Sequence, residues 1–219
     1  MIRLTVSATA LACLLALVLP CHANQLTEAF GRDTRGQGMA AVTLARRALE
    51  YSCRTREPLP LPKELPPLLR RRGAVFVSSM LIATGAPRCC MGTLTPQTPT
   101  LAEEIINNAY LAAVADKRFP PLQSKELKRI RVIVSIVGDS VPLTDPTTLD
   151  PLRDGLAVRG PRETGVVLPG EAKKNETMLA WGRIRAKLSE NDPAECFRLE
   201  AVRFMEAPAK EERHAAKND

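Results

Sequence analysis

The chain has 219 residues, 45% of them apolar, 4% aromatic and 25% charged, with a formal charge of +7. Its 12 Gly and 18 Pro are too few for a collagen-like or low-complexity chain, and its apolar share is too high for a disordered one. The length suits one domain or two small lobes with a real core, and two His residues leave little room for imidazole catalysis.

Residues 1–23 read as a secretory signal peptide. Met1–Arg3 gives a positive start, Leu11–Leu19 is an apolar run broken only by Cys13, and Ala23 offers a small residue for cleavage. The run is shorter than the ~20 residues of a membrane span. Two alternatives stay open: a retained anchor, and a lipid on Cys21, against which Pro20 argues. Cleavage removes Arg3 and no acid, so the formal charge falls from +7 by one. The expected location is periplasmic or secreted, with no stable membrane span after cleavage. Arg70-Arg71-Arg72 is the one basic cluster, and no aromatic residues interleave with it as base stacking requires, so no nucleic-acid partner is expected.

After a lead over residues 24–36, Met39, Val42, Ala45 and Leu49 mark an amphipathic helix. Five prolines between Pro58 and Pro67 then demand an extended connector, with Leu59, Leu61, Leu65 and Leu68 available to staple it down. Gly73–Ile82 and Arg88–Leu94 read as a hairpin around Gly85. Thr100 and Glu103 have capping-box spacing and open a helix whose buried stripe is Leu101, Ile105, Ala109, Ala112 and Ala113. Arg131–Val137 is apolar at nearly every position, as a strand covered on both faces is. Leu156–Val158 and Gly165–Leu168 form a second hairpin, Met178–Leu188 a helix carrying Trp181, and Phe197–Ala201 a half-buried strand. The expected fold is α+β with a mainly antiparallel sheet. Residues 207–219 form a charged tail expected to be disordered, since six of the ten residues Lys210–Asp219 are charged.

Four cysteines follow the signal segment: Cys53, Cys89, Cys90 and Cys196. No CxxC pair exists, and the remaining histidine, His214, lies in the tail, so neither a metal nor a cofactor is expected. Cys53 and Cys196 can pair if the chain ends meet; Cys89 and Cys90 cannot bridge each other without strain and in a strand point to opposite faces, one buried and one exposed. Arg88 beside this pair favours thiolate, which makes Cys90 a candidate nucleophile. Asn175-Glu176-Thr177 matches the N-glycosylation pattern.

Gly73–Val77, Arg88-x-Cys90-x-Gly92-Thr93, Asn108-Ala109 with Ala112-Ala113, and Asp116–Pro120 resemble the AMMECR1 domain in order and spacing. The resemblance continues through Glu126-Leu127, Val132–Val137, Gly155–Val158 and Gly165–Pro169, spanning about residues 37–206. It implies a two-lobed α+β fold, the larger lobe holding both termini and a smaller one inserted. It also implies a role linked to Memo-like and radical-SAM partner proteins, with no settled activity. The family pattern Leu-Arg-Gly-Cys-Ile-Gly appears here with Pro87 for Leu and Cys89 for the first Gly, a steric cost if that Gly serves a positive φ. Its Lys-Ala-Gly element appears as Arg185-Ala186-Lys187. Arg88, Gly92, Asp116 and Arg118 are the expected ligand-binding residues around Cys90. The expected function is partner docking or ligand binding, and the alternative is a thiol-dependent enzyme acting on an anionic small molecule through Arg88 and Cys90.

Overall fold

The computed structural model describes residues 22–189 and 191–207. Most of the expected signal segment and the tail beyond Ala207 lie outside the described residues, as does His214. The residues read as a lead instead carry α1 (His22–Gly31), whose Leu26 and Phe30 are buried in the core. Only two large apolar residues mark that helix, too few for a periodicity to register.

The remaining elements follow the sequence pattern closely. They are α2 (Gln37–Thr55), β1 (Ala74–Leu81), β2 (Pro87–Gly92), α3 (Leu101–Val114), β3 (Ile130–Leu143), β4 (Gly155–Arg159), β5 (Thr164–Val167), α4 (Asn175–Arg185) and β6 (Glu195–Met205). α3 starts on a true capping box: Thr100 Oγ1 accepts from Glu103 N–H, and Glu103 accepts from Thr100 N–H at 2.9 Å. Its predicted stripe is buried throughout. On α2, Val42, Ala45 and Leu49 are buried while Met39 stays exposed. Of the connector leucines, Leu59, Leu65 and Leu68 pack onto the core and Leu61 faces solvent. Short 3-10 turns at Pro67–Arg70, Ser124–Arg129 and Pro146–Thr148 were not legible as elements.

The six strands form one antiparallel sheet in the order β2-β1-β3-β6-β4-β5. β3 is twice the expected length because it continues through Gly138. Val137 pairs with Ala201 and Ser140 with Leu199, so β3 carries one extra residue there. Such a bulge bends a strand and sharpens its twist. Gly138 meets this geometry: an added Cβ would sit 3.0 Å from the Thr27 side chain and 3.2 Å from Glu200. The first half of β3 pairs with β1 and the second half of β6, and its second half pairs with the part of β6 that carries β4 and β5. The long β3–β6 ribbon therefore joins two half-sheets at an angle.

Each half-sheet has its own apolar cover, giving the two lobes. The larger cluster places α1, α2 and α3 against Val75, Val77, Val132, Val134 and Ile136. The smaller, inserted between β3 and β6, packs Met178 of α4 on Leu156, Val158 and Val167. There α4 comes so close that a Cβ on Gly165 would lie 1.9 Å from the Gly182 carbonyl oxygen. A third cluster on the concave side joins Phe76, Val137, Leu168 and Leu199. No helix among the described residues is long and apolar enough to cross a membrane.

α4 ends at a left-handed residue, Lys187, with φ 56°. Leu188 N–H donates to the Arg183 carbonyl and Lys187 N–H to Ile184, the paired bonds of a Schellman-type end that usually takes Gly. Lys187→Gly removes the left-handed penalty at the cost of one exposed contact to Glu163. The variant is expected to be more stable by about 1 kcal/mol, read as a raised denaturation midpoint.

Candidate functional site

The bent sheet brings its two edge strands to the same cleft. Cys90, Met91, Gly92 and Thr93 on the β2 side, and Thr164 and Val166 on β5, line one opening of about 620 Å³. An inner hollow of about 220 Å³ shares Cys90, Arg118, Leu168, Glu171 and Arg185 with it, and is closed by Trp181 and Arg203.

The floor of this space follows from register. Gly92 lies opposite Phe76, Phe76 opposite Ser135, and Ser135 opposite Arg203, so these four share one face. The neighbouring row is Cys90, Ser78 and Ile133. Gly92 is required by its partner: a Cβ would stand 2.3 Å from the Phe76 ring. Its role is to let that ring lie flat across β2.

Asp116 and Arg118 both meet Cys90, but at its backbone, and of the two Arg118 lines the cleft while Asp116 is buried behind it. Cys90 N–H donates to Asp116 at 2.8 Å, and Arg118 donates to the Cys90 carbonyl at 2.8 Å. Arg118 also bonds the Asp116 carboxylate through Nε and Nη2. The pair thereby supplies the partners that a seventh strand would give to this edge. Burial opposes the Asp116 charge, yet the bonds from Arg118 and Cys90 outweigh it and hold the carboxyl below its usual range. Asp116 in turn holds the Arg118 guanidinium firmly protonated.

Arg88 is the correction. Its guanidinium is buried and doubly bonded to Glu126, at 2.7 and 2.9 Å, with a third bond to the Pro120 carbonyl. A β-bulge between Ser79 and Met80 breaks the alternation that would set Arg88 beside Cys90. It fastens the segment after α3 to β2 and lines neither cavity. Three other charged residues line the cleft, and the sequence did not single them out as a site.

Those residues are Arg185, Glu171 and Arg203. Arg185 pairs with Glu171, and both also cap the β5 edge: Arg185 donates to the Val166 carbonyl and Leu168 N–H donates to Glu171. Arg203 is half-buried, donates to the Pro169 carbonyl at 3.1 Å, and has no carboxylate at ion-pair distance among the described residues. Burial lowers its affinity for the proton, and Glu171 partly restores it. Beside it the Ser135 hydroxyl is fully buried and without a hydrogen-bond partner. Arg185 had one signal in the sequence, its place in the Lys-Ala-Gly element. Arg203 and Glu171 had none, because only the register of distant strands brings them here.

The thiols separate as alternation requires. Cys89 is buried against Ser79 and its thiol is pushed up to about 11 by that burial. Cys90 is half-buried and faces the cleft, with Ser78 Oγ donating to its sulfur at 3.0 Å. Burial pushes the Cys90 thiol up too, Glu171 adds to this, and Ser78, Arg118 and Arg185 oppose it without reversing it. No histidine lies among the residues lining either cavity. The four cysteines are free: Cys53 donates to the Leu122 carbonyl in the larger cluster and Cys196 packs with the smaller, so the pairing left open for these two is not formed. Cys89 has an ordinary extended backbone, since among the described residues the non-glycine residues at positive φ are Arg56 and Lys187. The sequon nitrogen of Asn175 is already engaged by the Thr147 carbonyl at 2.7 Å. Among the described residues no group of three His, Cys, Asp or Glu is placed to hold a metal.

A two-lobed α+β protein with a ligand-sized cleft between its sheet edges is thus the class defined by the fold. The AMMECR1 family model matches residues 42–206, and the chain belongs to that family. A protein of Thermofilum pendens is 30% identical over 202 residues, 82% of this chain and 94% of its own. A protein of Thermotoga maritima is 35% identical over 147 residues, 66% of this chain and 82% of its own. The crystal structure of the uncharacterised protein PH0010 from Pyrococcus horikoshii superposes with a TM-score of 0.69 at 30% identity, covering 78% of this chain and 91% of that one.

Two outcomes test this geometry. Because the Asp116 carboxyl is held low, its stabilisation is complete above the ordinary carboxylate range and is lost as pH falls through the lowered value. Asp116→Asn should cost about 1.5–3 kcal/mol at pH 7 and flatten the loss of stability below about pH 4, followed by urea denaturation across pH. Iodoacetamide at pH 7.5 should label Cys90 and leave Cys89 untouched in the native protein, with Cys90 at least about tenfold slower than a free peptide thiol, read by mass spectrometry.

Proposed function

We propose that the protein is a ligand-binding or partner-docking AMMECR1-domain protein whose cleft holds a carboxylate or phosphate. The observation that carries this reading is Arg203: a half-buried guanidinium without a carboxylate partner, beside a buried hydroxyl, Ser135, that has none either. Half-burying a cation with no carboxylate at ion-pair distance, and burying a hydroxyl without a partner, are both costly, and an anion relieves both. Arg185, and Arg118 through its exposed side, add positive potential around the same hollow. Cavities of this size suit small ligands or a short chain segment. A thiol-dependent reaction is less favoured, because burial keeps Cys90 protonated and the nearby carboxylates Asp116 and Glu171 are both engaged with arginines.

The family resemblance suggests Memo-like and radical-SAM proteins as partners in one pathway, and the N-terminal segment suggests export. Cleavage after Ala23 would leave the core residues Leu26 and Phe30 attached. N-terminal sequencing of protein recovered outside the cytoplasm should then begin at Asn24; a start at Met1 argues against export by this route.

Trp181, the single tryptophan, lines the inner hollow and reports on it. Titration with phosphate, acetate and glutarate should change its emission saturably for at least one of them. Arg203→Leu should weaken that binding at least tenfold while leaving the denaturation midpoint nearly unchanged. Equal binding by the variant, or no response to any anion, rejects the reading.

A further inference from the structure

Both free edges of the sheet face the cleft, and their hydrogen-bonding groups point into it. On β2, Thr93 N–H bonds the Val75 carbonyl, which fixes the alternation: Met91 and Cys89 turn to β1, while Cys90 and Gly92 turn outward. On β5, Gly160 N–H bonds the Glu163 carbonyl, so Gly165 and Val167 turn to β4, while Thr164 and Val166 turn outward. The outward groups at the inner end are already met by charged side chains: Cys90 by Asp116 and Arg118, the Val166 carbonyl by Arg185. At the outer end Gly92 and Thr164 have no such cap among the described residues, and there Val166 keeps its N–H free of one. Gly92, lacking a side chain, leaves that stretch of edge open above the Phe76 ring.

We propose that the occupant of the cleft is the C-terminal segment of a partner polypeptide, held extended between β2 and β5. Its backbone would bond to the outward groups of Gly92 on one side and of Thr164 and Val166 on the other. Its terminal carboxylate would reach the inner hollow, where Arg203 and Ser135 wait. This rests on the anion-binding reading and adds the backbone to it. Charge complementarity chooses the end of a chain, since a terminal carboxylate supplies the ion-pair partner that Arg203 lacks among the described residues. Unpaired strand edges choose an extended peptide over a compact molecule. The slot is also polarised: β2 and β5 run in opposite directions through the sheet order, so an inserted strand is antiparallel to one edge and parallel to the other.

The experiment uses the full chain as purified and a randomised pool of N-acetylated pentapeptides drawn from Val, Thr, Leu and Glu with free C-termini. Retained peptides are identified by mass spectrometry, and the best one is titrated by Trp181 emission. Its C-terminal amide, its forms N-methylated at residues 2 and 4 or at residues 1, 3 and 5, and N-acetylvaline are compared with it. The expected result is at least tenfold weaker binding for the amide, for N-acetylvaline and for at least one methylated form. The amides of Gly92, Thr164 and Val166 should exchange at least tenfold more slowly when the peptide is bound. A methylated series that binds as well as the parent, or N-acetylvaline that matches it, overturns the strand while leaving the anion site intact. No retained peptide, alongside saturable binding of phosphate or acetate, has the same meaning. Absence of binding by peptides and simple anions alike rejects both readings.

Discussion

The bulge at Gly138–Asp139 is the constraint on which the cleft depends. Without the extra residue β3 and β6 would run straight, and the six strands would form an open twisted sheet with its edges far apart. With it, one ribbon serves two half-sheets, each covered on its outer face by its own helices. The concave face is then left with the rows from Gly92 to Arg203 and from Cys90 to Ile133. Gly138 makes the bend affordable because Thr27 of α1 and Glu200 of β6 press on it from either side. The first helix is thus tied to the place where the sheet turns.

An exposed edge strand invites association, and proteins blunt it with charge or cover. Here each edge receives one acid–arginine pair: Asp116 with Arg118 on β2, Glu171 with Arg185 on β5. The two pairs are alike in function though unrelated in chain position. Each arginine donates to a strand carbonyl, and each carboxylate accepts a backbone N–H. They give their hydrogen bonds to backbone and to each other rather than to the Cys90 sulfur, and burial, the larger effect, holds that thiol above its usual range despite two guanidiniums nearby. Arg88 shows the same economy, with all its strong bonds given to Glu126 and Pro120. Proximity of Arg to Cys in sequence says little about reactivity when a carboxylate claims the cation first.

What was legible in the sequence was local. Thr100 and Glu103 announced the start of α3 because both halves of a capping box lie within four residues. The hairpins around Gly85 and after Arg159 were visible for the same reason, as were the alternating faces of Cys89 and Cys90. Asp116 and Arg118 were found through their place after α3 in the family pattern. What was not legible depends on register between strands far apart in the chain. Arg203 reaches Ser135 only because β6 pairs with β3 in one register of several that its half-apolar pattern permits. Glu171 sits in a loop with no motif of its own. The misplacement of Arg88 has a specific cause, since alternation predicts its side for a regular strand and the bulge at Ser79–Met80 ends that regularity.

The two departures from the family pattern at glycine positions are physically opposite. At Cys89 the backbone is extended and a side chain is conformationally free, but it must find room in the larger core, which it does against Ser79. At Lys187 there is room, since the side chain lies in solvent and reaches Glu163, but the left-handed backbone is strained. A glycine can be retained for space or for φ, and these positions separate the two reasons within one chain. Lys187 lies away from the cleft, whereas Cys89 borders its inner hollow; Gly92 keeps both its place against Phe76 and its open edge. The cleft thus mixes kept and altered positions of the family pattern: Cys90 and Gly92 are kept, Arg185 keeps the charge of the Lys it replaces, and the cost of Cys89 and Lys187 falls on packing and on a helix end.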